Sequence, residues 1–551
     1  MKHRVTSLRH WRRRADGWSI ASWTGAAVIL LPILYVLSGL LRSPNDNWVK
    51  VKQYLLTDYV LGSLKLVLLT GFFATSIGLA LAWLVTGYSF PMRRFFRWAL
   101  ILPLAIPPYI AAYTYGAMTS YTGVIQATLR NQFDIALAPG TIEVMSFRGA
   151  VFVLTLFLYP YVYMIACAFL ERQSASYVEN ARLLGSRRFK LFFRVVLPIA
   201  RPAVVAGAML VVFEVLSDYG VTSYFGVQTL SKAIFQTWFG MYDVDSAIRL
   251  AAWLMLAVIG IFVLERYLRR SRRFHSTTSR SKPLAPTRLK GGAAWGAAAL
   301  CSAVFLLAFL APVVQIASWA ALTYRKVWRS DFGEMVLNSI GGAFIATVII
   351  LLLALMTART ARVLSSGAAY GLARIMTVGY AVPGAIIAIG VLAVFIALDE
   401  WLMPWYARAG LGEGVLVLSL SLGMLITGYV IRFMATGYNA LEVGYEKIPR
   451  AYSEASRTLG AGTLRTFIKV ELPLLKGSLA TGFIVTFVEI VKELPLTLLL
   501  RPFNYDTLAT RTYQYASDER IYEAALPSLL LIVVSLVPVI LMTRMGRGKR
   551  A

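Results

Sequence analysis

Two pairs of carboxylic acids lie inside long apolar runs of the sequence, where ionisable side chains are rare. Glu214 and Asp218 are four positions apart in VVFEVLSDYG, and Glu489 and Glu493 have the same spacing in TFVEIVKELP. Four residues make about one helical turn, so the two acids of a pair share a helix face. Acids in a membrane span often line an ion pathway, and carboxylate oxygens suit hard cations. We therefore expect these four acids to line a substrate path and to act as transient metal ligands, with Lys492 as a partner of the second pair.

Two structural roles are also open for these acids. They can lie solvated at the outer membrane interface, or they can form salt bridges that pack helices together. The repetition of the pair favours a pathway, because two equivalent halves would place both pairs beside one axis.

The acidic pairs follow a polar, basic segment that also occurs twice. Residues 177–198 read YVENARLLGSRRFKLFFRVVLP, and residues 452–473 read YSEASRTLGAGTLRTFIKVELP, at a constant offset of 275. In each copy a short amphipathic stretch reaches a glycine that permits a sharp turn, and a proline follows at the start of the next span. Each copy predicts a short helix on the membrane surface, a turn and a re-entry. Basic loops with helices are common in membrane proteins, but repetition in register indicates duplicated architecture.

The composition indicates a polytopic all-α membrane protein. Hydrophobic residues make up 58% of the 551 residues and charged residues 15%, and the mean hydropathy is +0.65. The net charge of +28 comes from short Lys and Arg clusters between apolar spans, which is typical of cytoplasmic loops and not of a nucleic-acid-binding domain. Two cysteines and three histidines, all scattered, predict neither a disulfide framework nor a Cys/His metal site.

About twelve apolar runs reach the length of a transmembrane helix. They are residues 20–41, 60–87, 97–119, 147–168, 199–219, 247–267, 295–318, 336–358, 372–396, 415–438, 474–500 and 524–543. The first run is of spanning length and no A-x-A site follows it, so we expect a retained helix and not a signal peptide. Prolines in the third run of each half, Pro107, Pro108 and Pro383, predict kinks that serve either gating or packing.

The basic clusters place both termini and both repeated segments in the cytoplasm. Residues 266–292 are basic and rich in Ser, Thr, Pro and Gly, which predicts a flexible cytoplasmic linker. We expect six spans in residues 1–265 and six in residues 293–551. Because an even number of spans returns the chain to the same side, the two repeats run parallel around an axis along the membrane normal.

The repeated segment resembles the E-A-A-x-x-x-G-x(9)-I-x-L-P signature of the membrane subunits of binding-protein-dependent ABC importers. Asn180 and Ser456 depart from it at one alanine position each, with compact residues in both cases. The resemblance implies the type I importer permease fold and a short helix that couples to a cytosolic ATPase. The residues it assigns to coupling are Glu179, Ala181, Arg182, Gly185, Pro198, Glu454, Ala455, Arg457, Gly460 and Pro473.

Residues 218–243 and 491–520 further resemble the fused permeases of bacterial ferric-iron importers. That resemblance implies an inner-membrane permease that receives Fe(III) from a periplasmic binding protein and sits on two copies of an ATPase, which binds ATP and Mg. The chain contains no G-x-x-x-x-G-K-[ST], so we expect no ATP site or resident cofactor of its own. Relatives of similar architecture carry thiamine, polyamines or phosphonates. The acids disfavour a phosphonate but do not separate iron from a polyamine.

A transporter driven by an ion gradient is the rival hypothesis, with the membrane carboxylates as proton carriers. The duplicated cytoplasmic segment argues against it, because such a carrier needs no symmetric docking surface. No nucleophile–base pair or metal-ligand spacing predicts an enzyme.

Overall fold

The structure, a computed structural model, describes residues 17–138, 140–142, 144–172, 175–184, 188–270, 286–328, 330–363, 366–410 and 414–547. These residues are mostly helical. In the part of the chain so described, strand structure is confined to Tyr88–Ser89 (β1) and Thr287–Arg288 (β2), which pair in parallel. The predicted all-α membrane fold is confirmed.

The helices follow the apolar runs of the sequence. Up to residue 270 they are α1 Gly17–Ser38, α2 Asp46–Gly87, α3 Arg93–Ala99, α4 Pro108–Thr119, α5 Val124–Phe133, α6 Phe147–Arg172, α7 Ala175–Leu183, α8 Arg188–Leu191, α9 Leu197–Ser217, α10 Gly220–Tyr224, α11 Leu230–Phe235 and α12 Val244–Arg270. After the linker they are α13 Gly292–Val327, α14 Ser330–Val363, α15 Ser366–Thr377, α16 Gly384–Arg408, α17 Leu422–Glu446, α18 Arg450–Thr458, α19 Thr463–Thr466, α20 Leu472–Lys492, α21 Pro495–Leu500, α22 Leu508–Ser517 and α23 Ile521–Arg547.

The number of helices that qualify as spans is smaller than the twelve expected. Over the described residues, nine helices are long and apolar enough to cross a membrane, and one bent pair makes ten if it counts as a single span. The other two predicted spans are also helical. One is α17, which carries the buried Arg432, and the other is α23, whose qualifying apolar stretch, Ile521–Val537, is shorter than a full span.

The prolines of the third predicted spans break their helices where the sequence had predicted kinks. Leu102–Ala105 forms a 3₁₀ turn before Pro107, and the helices on either side of the break are bent by 92°. In the second half Val378–Ala381 is a 3₁₀ turn and α16 begins only after Pro383. Proline removes a backbone donor and drives the preceding residue out of helical geometry, so a short connector replaces a continuous helix. Residues 97–119 and 372–396 are therefore not continuous spans.

The chain divides into two compact units that do not coincide with the two sequence repeats. One unit comprises Met1–Ser43 with Ser330–Thr510, and the other comprises Pro44–Arg329 with Arg511–Ala551. In the first unit α1 packs against α14 and α16, and in the second unit α13 packs along α23. The helix that opens each repeat thus belongs to the compact unit built mainly from the other repeat. The boundaries predicted for the repeats themselves remain a prediction.

Close helix packing in the second unit depends on small residues in its three central helices, α2, α6 and α9. A Cβ atom on Gly78 of α2 would lie 2.7 Å from the carbonyl oxygen of Tyr159 in α6. A Cβ atom on Gly207 of α9 would lie 2.8 Å from the Cα atom of Val162. Such contacts let helix backbones approach in a lipid environment, where apolar burial alone gives little drive to associate.

Candidate functional site

The second repeated segment forms a short surface helix that ends in a glycine turn. Helix α18 starts after Pro449, has no buried residue and ends at Thr458, with Leu459 as its C-cap. Gly460 follows with φ +84°, in the left-handed region, while the space around its Cα is open. The N–H groups of Gly460 and Ala461 donate to the carbonyls of Arg457 and Ser456, so the glycine closes the helix end. The predicted helix and turn are confirmed here.

The first repeated segment has the same elements in the same order. Helix α7 is followed by α8, by a π-helical turn at Phe192–Val196, and by α9. In the second copy the corresponding π-helical turn is Phe467–Glu471, again offset by 275. Glu179 is exposed and Ala181 is half-buried, as expected for a surface helix. Gly185 and the side chain of Arg182 lie outside what the structure describes.

The prolines of the two segments do not start the spans, which corrects the sequence-based expectation. The spanning helices run without a break from Phe192 to Ser217 and from Thr463 to Lys492, so Pro198 and Pro473 lie within them. Each proline follows a π-helical turn, which is closed by a backbone hydrogen bond between residues five positions apart. The N–H of Leu197 donates to Phe192 O in the first copy, and the N–H of Leu472 donates to Phe467 O in the second. The wide turn accommodates a residue that has no N–H to donate.

Two side-chain hydrogen bonds join α18 to the span that follows it. Ser453 Oγ donates to Glu471 Oε1 at 2.9 Å, and Ser456 and Thr466 share a hydroxyl bond of 3.0 Å. Ser456 is one of the two departures from the family signature, and its hydroxyl makes a specific contact. Sequence reasoning missed Glu471. The available signal was an acid directly before the Leu–Pro pair, where the first copy has Val196.

Glu471 lies in a buried polar cluster that joins four helical elements. Tyr445 OH donates to Glu471 Oε2 at 3.2 Å, and the Nε atom of Arg359 lies 3.9 Å from the same oxygen. Arg359 and Glu471 are each 5% exposed. We call Arg359, Tyr445, Ser453 and Glu471 the Glu471 cluster. Its members come from α14, α17, α18 and the π-helical turn, so it connects the surface helix to the spans.

The guanidinium of Arg359 is further held by aromatic rings and a backbone carbonyl. It lies 4.6 Å from the ring centroid of Trp18 in α1 and 5.0 Å from that of Phe467. Its Nη2 atom donates to Thr463 O at 2.9 Å. Cation–π contacts of this kind are strongest where water is excluded, so they help retain a charge in a buried position.

The second acidic pair divides into one half-exposed and one buried acid. Glu489 Oε1 accepts from Lys492 Nζ at 3.0 Å, and their side chains are 28% and 16% exposed. The predicted contact of Lys492 is thus present. Glu493 accepts from the N–H of Leu496 at 3.2 Å and lies 3.9 Å from Arg432 Nε, with both side chains 9% exposed.

Arg432 links Glu493 to the broken helix. It donates through Nη1 to the carbonyl of Val382, the residue directly before Pro383. A Cβ atom on Gly384 would lie 2.6 Å from Glu493 Oε1, so the acid packs against the first residue of α16. A carbonyl that the break leaves without a helical partner is therefore satisfied by a buried charge. These contacts favour the structural alternative for Glu493.

The first acidic pair has different surroundings. Asp218 Oδ1 accepts from the N–H of Thr222 at 3.0 Å, at the start of α10, much as Glu493 does at α21. Glu214 is partly buried one turn earlier. The position that corresponds to Arg432 is Phe157, which is 1% exposed. Each acidic pair lies in its own compact unit. Within the described ranges, no three His, Cys, Asp or Glu residues form a group able to hold a metal ion, and a transient metal role stays a prediction.

The second unit contains a cavity of about 740 Å³ between the ends of α4, α10, α22 and α23. Its wall presents the rings of Tyr224, Trp319, Tyr513 and Tyr522 together with several hydroxyl groups. Among its described lining residues Glu519 alone is charged. A cavity with one acid and no base on its wall suits a cation or a neutral group better than an anion.

The family model for the inner membrane component of binding-protein-dependent transport systems matches the chain twice, over residues 74–273 and 360–551. The Fe(3+)-transport system permease protein FbpB 2 of Haemophilus influenzae is 25% identical over 526 residues, which cover 94% of this chain and 96% of that protein. The sulfate permease CysT of Escherichia coli is 28% identical and covers 39% of this chain and 76% of its own length.

The chain is also similar to a molybdenum permease and to a solved transporter over parts of its length. The molybdenum permease ModB of Escherichia coli is 30% identical and covers 30% of this chain and 70% of its own length. A solved bacterial ABC transporter that imports alginate has a TM-score of 0.37 at 18% identity, covering 46% of this chain and 95% of that chain.

Proposed function

The chain belongs to the family of inner membrane components of binding-protein-dependent transport systems, and from that premise we propose that it passes Fe(III) into the cytoplasm as the permease of an ATP-driven importer. A periplasmic protein delivers the ion, and two copies of a cytosolic ATPase bind ATP and Mg and hydrolyse ATP. The chain itself takes no catalytic part. Its termini and its surface helices α7 and α18 face the cytoplasm.

The observation that carries the proposal is the duplicated surface helix joined to a spanning helix. Helix α18 has no buried residue, so its face is free to contact a partner, while side-chain bonds fix it to the span behind it. A partner that moves α18 as a rigid body therefore moves the span as well. Helix α7 repeats this arrangement of elements in the first copy. We assign the ATPase contact to these two helices.

Three considerations support the choice of Fe(III). The relative whose printed name gives Fe(3+) matches over nearly the whole of both chains, whereas the sulfate and molybdenum relatives match over less than half of this one. The 740 Å³ cavity has Glu519 and no base on its described wall, and an oxyanion would gain no countercharge there. A hard trivalent cation prefers oxygen ligands of the kind the carboxylates offer.

The pathway acids have unequal roles in this proposal. Glu214, Asp218 and Glu489 offer transient oxygen ligands as the two repeats alternate between outward and inward access. Glu493 is held by Arg432 and the N–H of Leu496, so it serves mainly to hold the wall of the path. The breaks at Pro107, Pro108 and Pro383 supply the bends that shape that wall.

Uptake of radioactive iron into proteoliposomes tests the proposal. The chain is reconstituted with its ATPase, and the binding protein is supplied outside with Fe(III). We expect uptake that requires ATP, resists an uncoupler and is not reduced by excess sulfate, molybdate, thiamine or spermidine. The double variant Glu214→Gln/Glu489→Gln should reduce uptake about tenfold, while the exposed control Glu334→Gln should not.

Three results would contradict the proposal in separate ways. Uptake that continues without the ATPase and collapses with an uncoupler would favour a gradient-driven carrier. Preferential uptake of one of the competitors would refute the iron assignment alone. Normal uptake by the double variant would refute the acidic path alone.

A further inference from the structure

We propose that Glu471 is a positioning residue that sets where the second coupling helix, α18, stands against the spans. Its carboxylate receives hydrogen bonds from α18 and α17 and faces the guanidinium of α14. This inference rests on the proposed contact between α18 and an ATPase. If α18 contacts the ATPase, movement of α18 reaches the spans of the second copy through the hydrogen bonds and the ion pair of Glu471.

The geometry gives Glu471 contacts on both of its oxygens. Ser453 of α18 donates to Oε1, and Tyr445 of α17 donates to Oε2. Arg359 of α14 stands 3.9 Å from Oε2 and reaches the start of α19 through Thr463 O. Any displacement of α18 by one residue would remove Ser453 from the carboxylate, so the cluster selects one register for the helix.

The first copy shows that the fold does not need this cluster. At the offset of 275, Arg359, Tyr445, Ser453 and Glu471 correspond to Leu84, Leu170, Val178 and Val196. Leu170, Val178 and Val196 are buried, so apolar contacts fill the equivalent space. The second hydrogen-bonded pair, Ser456 and Thr466, corresponds to Ala181 and Leu191. All six positions are thus apolar in one copy, and polar in the other.

Stability alone is a poor explanation for the polar copy. Replacing a buried ion pair by apolar residues of similar size is often neutral or stabilising. The Nη1 atom of Arg359 has no hydrogen-bond partner in the described structure, so the cluster is not fully satisfied in this arrangement. A buried polar group without a partner destabilises the arrangement that contains it. Hydrogen bonds are directional, however, so the Glu471 cluster fixes the position of α18 more strictly than apolar contacts would.

The test replaces the four polar residues of the Glu471 cluster by the apolar residues found at the corresponding positions of the first copy. We call this quadruple variant the transplant. The quadruple variant Arg359→Leu/Tyr445→Leu/Ser453→Val/Glu471→Val removes every charge at once and leaves no buried ion without its partner. The chain and its ATPase are reconstituted in proteoliposomes with binding protein and Fe(III). Three quantities are measured, namely ATPase retained on the purified chain, ATP hydrolysed, and iron taken up. The same measurements on Glu471→Gln give the single-site effect.

We expect the transplant to be present at the wild-type level and to retain its ATPase, while iron transported per ATP falls about tenfold, which is the change expected from a lost coupling free energy of about 1.4 kcal/mol. Glu471→Gln should show a smaller fall, and Glu471→Asp should recover part of it. The matched change in the first copy, Val196→Leu, keeps its apolar chemistry and should leave the ratio unchanged.

A transplant with the wild-type ratio of iron to ATP would overturn the positioning role. A transplant that fails to accumulate would overturn it as well if Glu471→Gln, present at normal level, also keeps the wild-type ratio. If the wild-type chain itself retains no ATPase subunit, the proposed function is refuted, and the inference about Glu471 falls with it.

Discussion

The two copies of the repeated segment share the order of their described helical elements and differ in the side chains that these elements bury. The second copy buries two pairs of opposite charge, Arg359 with Glu471 and Arg432 with Glu493. In the first copy the positions of both arginines and of Glu471 are Leu84, Phe157 and Val196. Of these four charges, only the one at Glu493 has a counterpart, Asp218.

The difference indicates that the shared order of surface helix, π-helical turn and spanning helix is encoded by features common to both copies, namely the short amphipathic stretch and the proline at a fixed distance. The pairs Arg359–Glu471 and Arg432–Glu493 are an addition that the second copy carries and the first copy lacks at the corresponding positions. Because buried ion pairs contribute little net stability yet are damaging to break, the second copy is the more sensitive of the two to single substitutions.

The largest expected effect comes from breaking the pair of Arg432 and Glu493. Arg432→Leu leaves a buried carboxylate without its countercharge and should destabilise the chain by about 3–5 kcal/mol. Thermal unfolding in detergent and the amount of chain in the membrane measure this. Arg432→Leu/Glu493→Leu should recover most of the loss, and Phe157→Leu at the equivalent first-copy position should cost only about 1 kcal/mol. Equal losses at positions 432 and 157 would remove the distinction between the copies.

A smaller effect is expected at the turn after α18. Gly460→Ala forces a side chain into the left-handed region and should destabilise the turn by about 1–2 kcal/mol, with reduced retention of the ATPase. Gly462→Ala is the control, because Gly462 has φ −64° and open space around it. If the two variants bind the ATPase equally well, the turn geometry has no role in docking.

The bond between Ser456 and Thr466 should contribute less. Ser456→Ala restores the alanine of the family signature and removes one hydrogen bond between neutral groups, for a loss of about 0.5–1.5 kcal/mol. In the first copy, Ala181→Ser gains no hydroxyl partner at Leu191 and should give no stabilisation. A stabilised Ala181→Ser chain in thermal unfolding would contradict this account of the asymmetry.

The smallest expected effect is a pH dependence that distinguishes Asp243 from Asp518, which lies 275 positions later. Burial raises the pKa of Asp243, but hydrogen bonds from Ser246 and Asn45 outweigh it and hold the pKa below its usual value. A lowered pKa in the folded state gives stability at neutral pH that is lost as the pH falls below about 4. Asp243→Asn should flatten the acid end of the curve of thermal stability against pH. Asp518 is exposed, and Asp518→Asn should leave the curve unchanged.

Much of the architecture was predictable because it depends on local signals. Apolar runs located the helices, and the repeated register located the surface helices and the turn at Gly460. The pairing of Lys492 with Glu489 follows from a spacing of three residues on one helix.

The buried charge pairs were not predictable, because they depend on contacts between residues distant in sequence. Arg432 meets Glu493 across 61 positions and Arg359 meets Glu471 across 112, and no local pattern in either stretch predicts the partner. The complete helix break at Pro383 is stabilised in part by Arg432, which satisfies the carbonyl before it. A sequence read locally predicts that proline disturbs the helix there, but the extent of the break depends on that distant donor.

The placement of α1 also bears on how the chain is assembled during synthesis. Its packing partners α14 and α16 begin at residues 330 and 384, so α1 meets these neighbours only after residues 44–329 have been made. Chains generally fold in the order in which their domains emerge, yet here neither repeat completes a compact unit from its own helices. Until then the face that α1 later buries against α14 and α16 is open to lipid or to another protein.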